Sequence, residues 1–528
     1  MHSNNNNDES NYILTLNFNT DGAPLTKSGK RAFWPLQVIL NDLSPKLRFR
    51  FVLLGGILVV QKEASNKLLD LYVSEVMVQQ MRKLNNKCVT VEKDGIKIVF
   101  KFCILSCLVD SMCRSIVQNR IKFNGYSGCS WCYQLGFYIA LVSGIRYIVE
   151  QNADNKTTKN IKKIKKITNG VKVPCCLMKV DQFDMVWSFS YEYMHGMLLG
   201  VTHQLWNTWK SSASEYKLSK QQIEFIEKRF LNITPSNDIH RLPRSGIIKG
   251  TVKPKASELK SLPCLNEILS KDVLEHYALL VKSAYTLLKY EISEEELLQC
   301  EADLTRFVYL YEYFYGQESM TFNVHTLLHV VESVRKTGPL CVNSAFPFES
   351  NIFNLKTHVK GPKGMDRQMC RKHLQLFTFK TGKLNNVVTS EETKQYCITL
   401  FCNKRLSTFY EKNSEELTYF GRSYLRKINE LDDCLSYKKC IFKGVVYHSI
   451  KYTSCKKTND TVIQLISGEF ARIIDILNVD HKCFLKISLF NVASDDPFTG
   501  VSHIKLIISE DTKTLTTPIN NVQRKIIR

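Results

Sequence analysis

Two residue pairs in this chain have the types and spacing of a zinc site. Cys129 and Cys132 stand in Gly125-Tyr126-Ser127-Gly128-Cys129-Ser130-Trp131-Cys132, a C-x2-C turn from which two thiolates can reach one tetrahedral ion. A second half is supplied by Asn323-Val324-His325-Thr326-Leu327-Leu328-His329. That H-x3-H spacing, on a helix, puts both imidazoles on one face one turn apart. The two pairs are distant in sequence, so a shared zinc would pin a far helix against the loop of the cysteines. Core thiols and surface histidines are the plainer alternative for the same four residues.

Three acidic residues form a second candidate constellation. Asp21 and Asp110 each follow an apolar stretch, and Glu349 lies in Ala345-Phe346-Pro347-Phe348-Glu349 at the start of a helical pattern. Aromatic neighbours there would hold the Glu349 carboxylate in place. Single acids are mostly solvated, but three carboxylates converging without basic partners repel one another, and bound divalent cations remove that cost. Hard oxygen donors suit Mg2+, whereas the Cys and His set suits zinc, so two chemically distinct sites are expected.

The elements around these residues follow from the apolar pattern. Tyr12, Leu14, Leu16 and Phe18 share one face of a strand that runs into the turn Asn19-Thr20-Asp21-Gly22. Trp34–Leu43 and Arg50–Val60 read as two further strands, with a turn over Asp42–Lys46 around Pro45. Asn66–Leu84 carries Leu68, Leu69, Leu71, Val73, Val76, Met77 and Met81 at near-helical intervals. Strands over 88–91 and 96–109 flank an Asp94-Gly95 turn, the second ending at Asp110. From Ser219 to about Val334 the pattern is mostly helical, broken near Pro243, Gly246, Gly250 and Pro254. After about Ser436 short β segments follow, such as Lys443–Tyr452, Val462–Ile466 and His503–Ile508.

This patterning predicts an α/β chain in five stretches. These are a disordered start (1–10), the first part of a core carrying the C-x2-C turn (11–150), a basic tract and helical insertion (151–340), the end of the core bearing Glu349 (341–436), and a small β-rich carboxy-terminal domain (437–528). The strand, strand, strand, helix, strand order at the start is compatible with an RNase H-like mixed sheet.

Composition bounds the function. At 528 residues with 44% hydrophobic content the chain can bury a sizeable core in more than one unit. Its net charge of +22 attracts polyanions, nucleic acid first, although basic surfaces also serve solubility or anionic membranes. The tract Asn155–Asn169 holds Lys156, Lys159, Lys162, Lys163, Lys165 and Lys166. It reads as a solvated loop or as an arm that contacts phosphates. The 18 cysteines are scattered through a long chain without a signal peptide, which points to reduced thiols. No apolar run reaches the roughly 20 residues of a membrane span, so no membrane partner is expected.

Several motifs together carry a family resemblance. Asn19-Thr20-Asp21-Gly22 with Trp34-Pro35, Val109-Asp110-Ser111 with Asn124-Gly125-Tyr126 and Gly128-Cys129, Glu192-Tyr193-Met194-His195-Gly196 with Leu199-Gly200-Val201, and Ala345 to Glu349 resemble transposases of the CACTA (En/Spm-like) group. Lys255-Ala256-Ser257-Glu258 and Asn323-Val324-His325 followed by Gly338-Pro339-Leu340 add to the match, which runs in order from about Leu14 to Arg371. The arrangement is also similar to the catalytic core of the V(D)J recombinase and its transposon relatives, the Transib group.

The resemblance implies a nuclear DDE transposase with an RNase H-like core, acting on transposon ends and target DNA and open to homo-oligomer formation. Asp21, Asp110 and Glu349 map onto its Mg2+- or Mn2+-binding triad, Asp21 as the bridging ligand. Cys129, Cys132, His325 and His329 map onto its zinc pairs. The implied chemistry is metal-assisted phosphodiester hydrolysis followed by transesterification. Two departures stand out. Asp21 lies only 20 residues after Met1, which argues against recognition of specific transposon ends through an amino-terminal module. Glu192 stands where related sequences commonly have Asp, and reads as a structural carboxylate. A catalytically silent, transposon-derived DNA-binding or scaffolding protein is the alternative reading, and an unrelated zinc-stabilised interaction protein is a third.

Overall fold

Apolar-rich segments form the central strands, and the chain is a mixed α/β protein. The computed structural model describes residues 9–26, 31–61, 64–93, 96–149, 153–162, 169–211, 214–236, 262–381, 390–392, 410–412, 417–423, 435–452, 458–480, 482–493, 505 and 507–526. Residues 1–8 of the expected disordered start, the Asp94-Gly95 turn, the Pro and Gly residues near 243–254, the Lys255–Glu258 motif and Lys163, Lys165 and Lys166 lie outside the described residues, whereas Glu9 and Ser10, expected in that disordered start, are strand residues paired with Lys97 and Ile98. The chain divides into two compact units. The first holds the described residues of 1–208 and 279–401, the second those of 209–253, 260–278 and 402–528.

The first unit opens with β1 (Glu9–Thr20), β2 (Ala23–Pro24), β3 (Ala32–Leu40), a short helix α1 (Pro45–Arg48) and β4 (Leu53–Val60). Pro45 thus begins a helical turn where a plain turn was expected; its fixed φ and missing N–H suit a first helical position. The expected helix is α2 (Asn66–Val73), running through a π-helical turn, Ser74–Val78, into α3 (Gln79–Lys87). β5 (Val89–Lys93), β6 (Ile96–Cys107) and α4 (Ser111–Val117) follow.

The sheet order is β2-β3-β1-β6-β5, with β4 paired to β3. β1 runs antiparallel to β3 and parallel to β6. The parallel register sets Phe18 beside Cys107, so the two strands end level and Asp21 and Asp110 leave the same edge. A register shift between Leu16 and Asn17 lies just ahead of that edge, as bulges often do beside functional sites.

The hairpin of β7 (Phe137–Ile139) and β8 (Gly144–Arg146), then α5 (Thr158–Lys162), a π-helical segment Met194–Thr202 and α6 (His203–Lys210) continue the chain. After α7 (Lys220–Leu231), α8 (Leu262–Leu265) and α9 (Lys271–Leu287) come α10 (Glu294–Tyr315), α11 (Phe322–Thr326), α12 (Val330–Thr337), α13 (Phe346–Thr357) and α14 (Met365–Lys380).

α13 docks on the first sheet through two apolar clusters. Phe348 packs with Ile39, Val52 and Leu108. Ile352 and Leu355, with Met369 of α14, pack on Ala23 and Phe33. Full burial of each such side chain contributes about 1.5 to 3 kcal/mol, so the helix is fixed beside the strand ends.

The second unit carries β9 (Tyr410–Lys412), β10 (Leu417–Ser423), β11 (Leu435–Phe442), β12 (Val445–His448), β13 (Val462–Leu465), β14 (Phe470–Val479), β15 (Lys482–Val492), β16 (Ile507–Pro518) and β17 (Val522–Lys525). These form one sheet, β16-β15-β14-β11-β10-β9, with β12, β13 and β17 attached at its side. Tyr419, Tyr437, Cys440, Ile473 and Leu485 lie in its core. The expected strand over Lys443–Tyr452 is limited to Val445–His448, because Lys443 and Gly444 take positive φ in the turn back from β11.

Candidate active site and metal centre

The three acids are reached from three different elements. Asp21 follows β1, and its Oδ1 accepts the Gly22 N–H at 2.7 Å. Asp110 follows β6 and caps α4, its Oδ1 accepting the Cys113 N–H at 2.6 Å. Glu349 sits in the first turn of α13, where a negative charge is favoured by the helix dipole. All three are half-buried.

Their mutual influence is electrostatic. Burial first, then the charges of Asp110 and Glu349, push the Asp21 carboxyl up to about 7. The charge of His195 and the Gly22 N–H work in the opposite direction without cancelling that rise.

A chain of buried amides positions this cluster. Asn19 Nδ2 donates to Leu108 O at 2.6 Å, and Gln37 Nε2 donates to Asn19 Oδ1 at 3.2 Å and to Phe348 O at 3.4 Å. Asn351 Nδ2 donates to Gln37 Oε1 at 2.7 Å. The residue before Val109-Asp110, the strand before Asp21 and the helix of Glu349 are thereby joined through three side chains. A second buried group does the same one step along β1. Ser106 Oγ donates to Asn17 Oδ1 at 2.7 Å, and Asn17 Nδ2 donates to Asn343 Oδ1 at 3.2 Å, fixing the loop that enters α13.

Glu192 and His195 are neighbours of the cluster whose part the sequence reading did not bring out. The Glu192 carboxylate is buried and accepts from Met194 N at 3.1 Å, His195 N at 2.8 Å and Ala345 N at 3.0 Å. It therefore ties the start of the 194–202 segment to the start of α13, a role in keeping with a structural carboxylate. Its other partner is His195 Nδ1 at 2.7 Å. Burial opposes charge on His195, but the hydrogen bond and charge of Glu192, then Asp110 and Glu349, push its pKa up to about 9. The signal available in the sequence was the E-x2-H spacing.

Cys129, Cys132, His325 and His329 converge, all four buried, with one donor atom of each within 4.8 Å of the others. Sγ of Cys129 and Sγ of Cys132 are 3.5 Å apart; Cys129 Sγ to His329 Nε2 and Cys132 Sγ to His325 Nε2 are each 3.5 Å; the two Nε2 atoms are 3.3 Å apart. A tetrahedral zinc with bonds of about 2.3 Å to sulfur and 2.05 Å to nitrogen has edges of about 3.8, 3.6 and 3.3 Å for the S–S, S–N and N–N pairs. The four donors fit such an ion closely, so this group can hold a structural metal such as zinc.

The histidines are not on one continuous α-helix, as the H-x3-H spacing predicted. His325 belongs to α11 and His329 to a 3-10 turn, Leu327–His329, which tightens the helix before α12. Tyr147 stacks on His325, ring centroids 5.0 Å apart, and Trp131 lies 5.5 Å from His329. Gly128 is required here: a Cβ would come within 2.8 Å of Lys122 O and 2.5 Å of Tyr147 Oη.

Buried basic side chains surround the cysteine turn. Arg120 Nη2 donates to Cys129 O at 2.5 Å, and Lys156 Nζ donates to the same oxygen at 2.7 Å. Arg114 lies over the Trp131 ring at 4.1 Å and donates to Ser190 O at 2.7 Å. Lys156 was expected in a solvated loop or a phosphate-contacting arm. It is instead 3% exposed, its Nζ donating to the carbonyls of Cys129 and Asn169, and burial, then the charge of Arg120, pushes its pKa down to about 7. Burial raises the Cys129 thiol, but the hydrogen bond from Cys132 and the charges of His329 and His325 outweigh it and hold the thiol well below its usual range. Burial lowers the pKa of His329, a shift towards the neutral form that binds metals.

A scan of protein-family models and a search of curated proteins return no match to this chain. Among the described residues, no helix is long and apolar enough to cross a membrane.

Proposed function

We propose that this chain is the catalytic region of a DDE-type DNA transposase, built on an RNase H-like core. The observation that carries the reading is the electrostatic coupling of Asp21 to Asp110 and Glu349, at the level ends of two parallel strands and the first turn of a docked helix. The sheet order and the Cys and His centre are compatible with it.

Asp21, Asp110 and Glu349 would hold Mg2+ or Mn2+, with Asp21 between the other two. Divalent cations at such a site supply activation of water or of a DNA 3′-hydroxyl and stabilisation of the leaving oxygen. The amide chain through Asn19 and Gln37 keeps the three acids in place. His195, held by Glu192, brings positive charge to a cluster that otherwise repels itself. The zinc centre joins the segment of α11 and α12 to the cysteine turn and takes no part in the chemistry. The substrate would be DNA, and action in the nucleus is what the resemblance implies.

Strand joining tests the reading. A duplex with a pre-cut 3′-hydroxyl end, incubated with the protein and Mn2+, should be joined into a target plasmid, and Asp110→Ala should abolish joining while DNA binding persists. Equal binding by both proteins with no joining under any divalent metal would favour the catalytically silent, DNA-binding alternative.

A further inference from the structure

The surface beyond Glu349 on the same helix has features the catalytic reading does not use. Phe353 and Lys356 follow Glu349 at i+4 and i+7, so all three lie along one face of α13. Phe353 is 67% exposed, an uncommon place for a large aromatic ring beside an acidic cluster. From Lys356 to Lys380 the chain has seven basic residues, Lys356, Lys360, Lys363, Arg367, Arg371, Lys372 and Lys380, against the single acid Asp366. Six of the seven are exposed, Lys356 being half-buried, and none forms an ion pair among the described residues.

The loop between α13 and α14 is held in a fixed shape. Gln368 Oε1 accepts from Lys360 N at 2.8 Å and Gly361 N at 3.3 Å, while its Nε2 donates to Gly361 O at 3.0 Å and Lys363 O at 2.8 Å. Arg31 Nη1 donates to Pro362 O at 3.1 Å. Gly364 closes the loop at φ +58°, the left-handed region that favours glycine. The backbone that carries Lys360 and Lys363 is thus held in one conformation, and like charges so close in sequence repel one another unless an anion meets them. On α14, Arg367 and Arg371 are stacked one turn apart, on the side away from buried Met365 and Met369.

We infer that this surface is the track for an unpaired DNA strand: a base stacks on Phe353 while Lys356, Lys360, Lys363, Arg367 and Arg371 hold successive phosphates. An exposed aromatic platform alternating with cations is how single strands are bound without base-specific hydrogen bonds. A duplex offers phosphates but no free base face, so Phe353 selects the single strand. The inference rests on the proposed reading only in naming DNA; it places the strand beside the acids without requiring them to act.

The test is binding without divalent metal, so that it stands apart from catalysis. A fluorescent 20-nucleotide single strand and its duplex are titrated with the full chain over a range of salt. Phe353→Ala should weaken single-strand binding by about 5- to 150-fold, leave duplex binding unchanged, and abolish the quenching of a 2-aminopurine placed in the strand. Phe353→Trp should restore both. Arg367→Ala with Arg371→Ala should lower the salt slope for the single strand by about 1.4, two contacts at about 0.7 each. These residues are on the surface, and unchanged melting would certify the fold. Unchanged single-strand affinity in Phe353→Ala, or an unchanged salt slope in the double variant, would overturn the inference. Loss of strand joining in all proteins with these binding effects intact would instead overturn the catalytic reading alone.

Discussion

Removal of metal from the Cys129, Cys132, His325, His329 centre should unfold much of the first unit. The four donors are buried, and their spacings of 3.3 to 3.5 Å suit a shared cation better than mutual hydrogen bonds. A buried polar group left without its partner costs roughly 1 to 3 kcal/mol, so four donors together cost on the order of 4 to 12 kcal/mol. A whole domain is stable by only about 5 to 15 kcal/mol. Cys129→Ser should therefore lower zinc content and stability together, since zinc binding is coupled to folding. Protein purified without added metal should carry close to one zinc per chain by mass spectrometry, and a strong chelator should lower the first melting transition by ten degrees or more. Full zinc retention in Cys129→Ser, or wild type that holds no zinc and melts identically with and without chelator, would refute this reasoning.

Other perturbations have expected directions. Asn19→Ala leaves Leu108 O and Gln37 Nε2 short of a buried partner and should cost roughly 2 to 6 kcal/mol in chemical denaturation, with zinc content unchanged. Glu192→Gln sets an amide donor against the N–H groups of Met194, His195 and Ala345, and should lower melting temperature and strand joining together by breaking a buried pair that contributes about 3 to 5 kcal/mol. In the second unit, His448 is buried against Asp460, Nδ1 to Oδ2 3.2 Å, and burial pushes its pKa down to about 4 against the opposing charge of Asp460, with Lys439 and Lys525 adding to the effect. Its folded value lies below its unfolded one of about 6.5, so stability is full above pH 6.5 and falls by on the order of 3 kcal/mol as pH drops to 4. The second melting transition should follow that window, and His448→Gln should flatten it.

Apolar periodicity made the first strands and the helix over 66–87 legible, because each buries one face and its period reports that face. Spacing offered the Cys and His centre beside the alternative of core thiols and surface histidines, and the C-x2-C turn and H-x3-H pair do meet. What periodicity could not convey is the polar interior. Asn17 and Gln37 lie within expected strands and Asn19 at the expected turn before Asp21, yet all three polar side chains are buried because α13 and its entry loop cover that face of the sheet. Lys156 was misread for the same reason, since a lysine-rich tract looks solvated until one member is found serving buried carbonyls. The π-helical segment 194–202 has no local signal either. Gly200 there lets Asn323 of α11 approach to 2.7 Å of where a Cβ would stand, a demand set by packing between distant elements.

The central claim is that Asp21, Asp110 and Glu349 form one metal-dependent centre for cutting DNA strands. Nicking of supercoiled plasmid by purified protein, followed by gel electrophoresis with Mg2+, Mn2+ or chelator, tests it most directly. Wild type should convert supercoiled to open circular DNA only with a divalent cation, and Asp21→Asn, Asp110→Asn and Glu349→Gln should each reduce the rate by at least a hundredfold, with melting unchanged. Nicking that survives any one of these substitutions at the wild-type rate, or wild type that nicks no DNA with either metal, would contradict it.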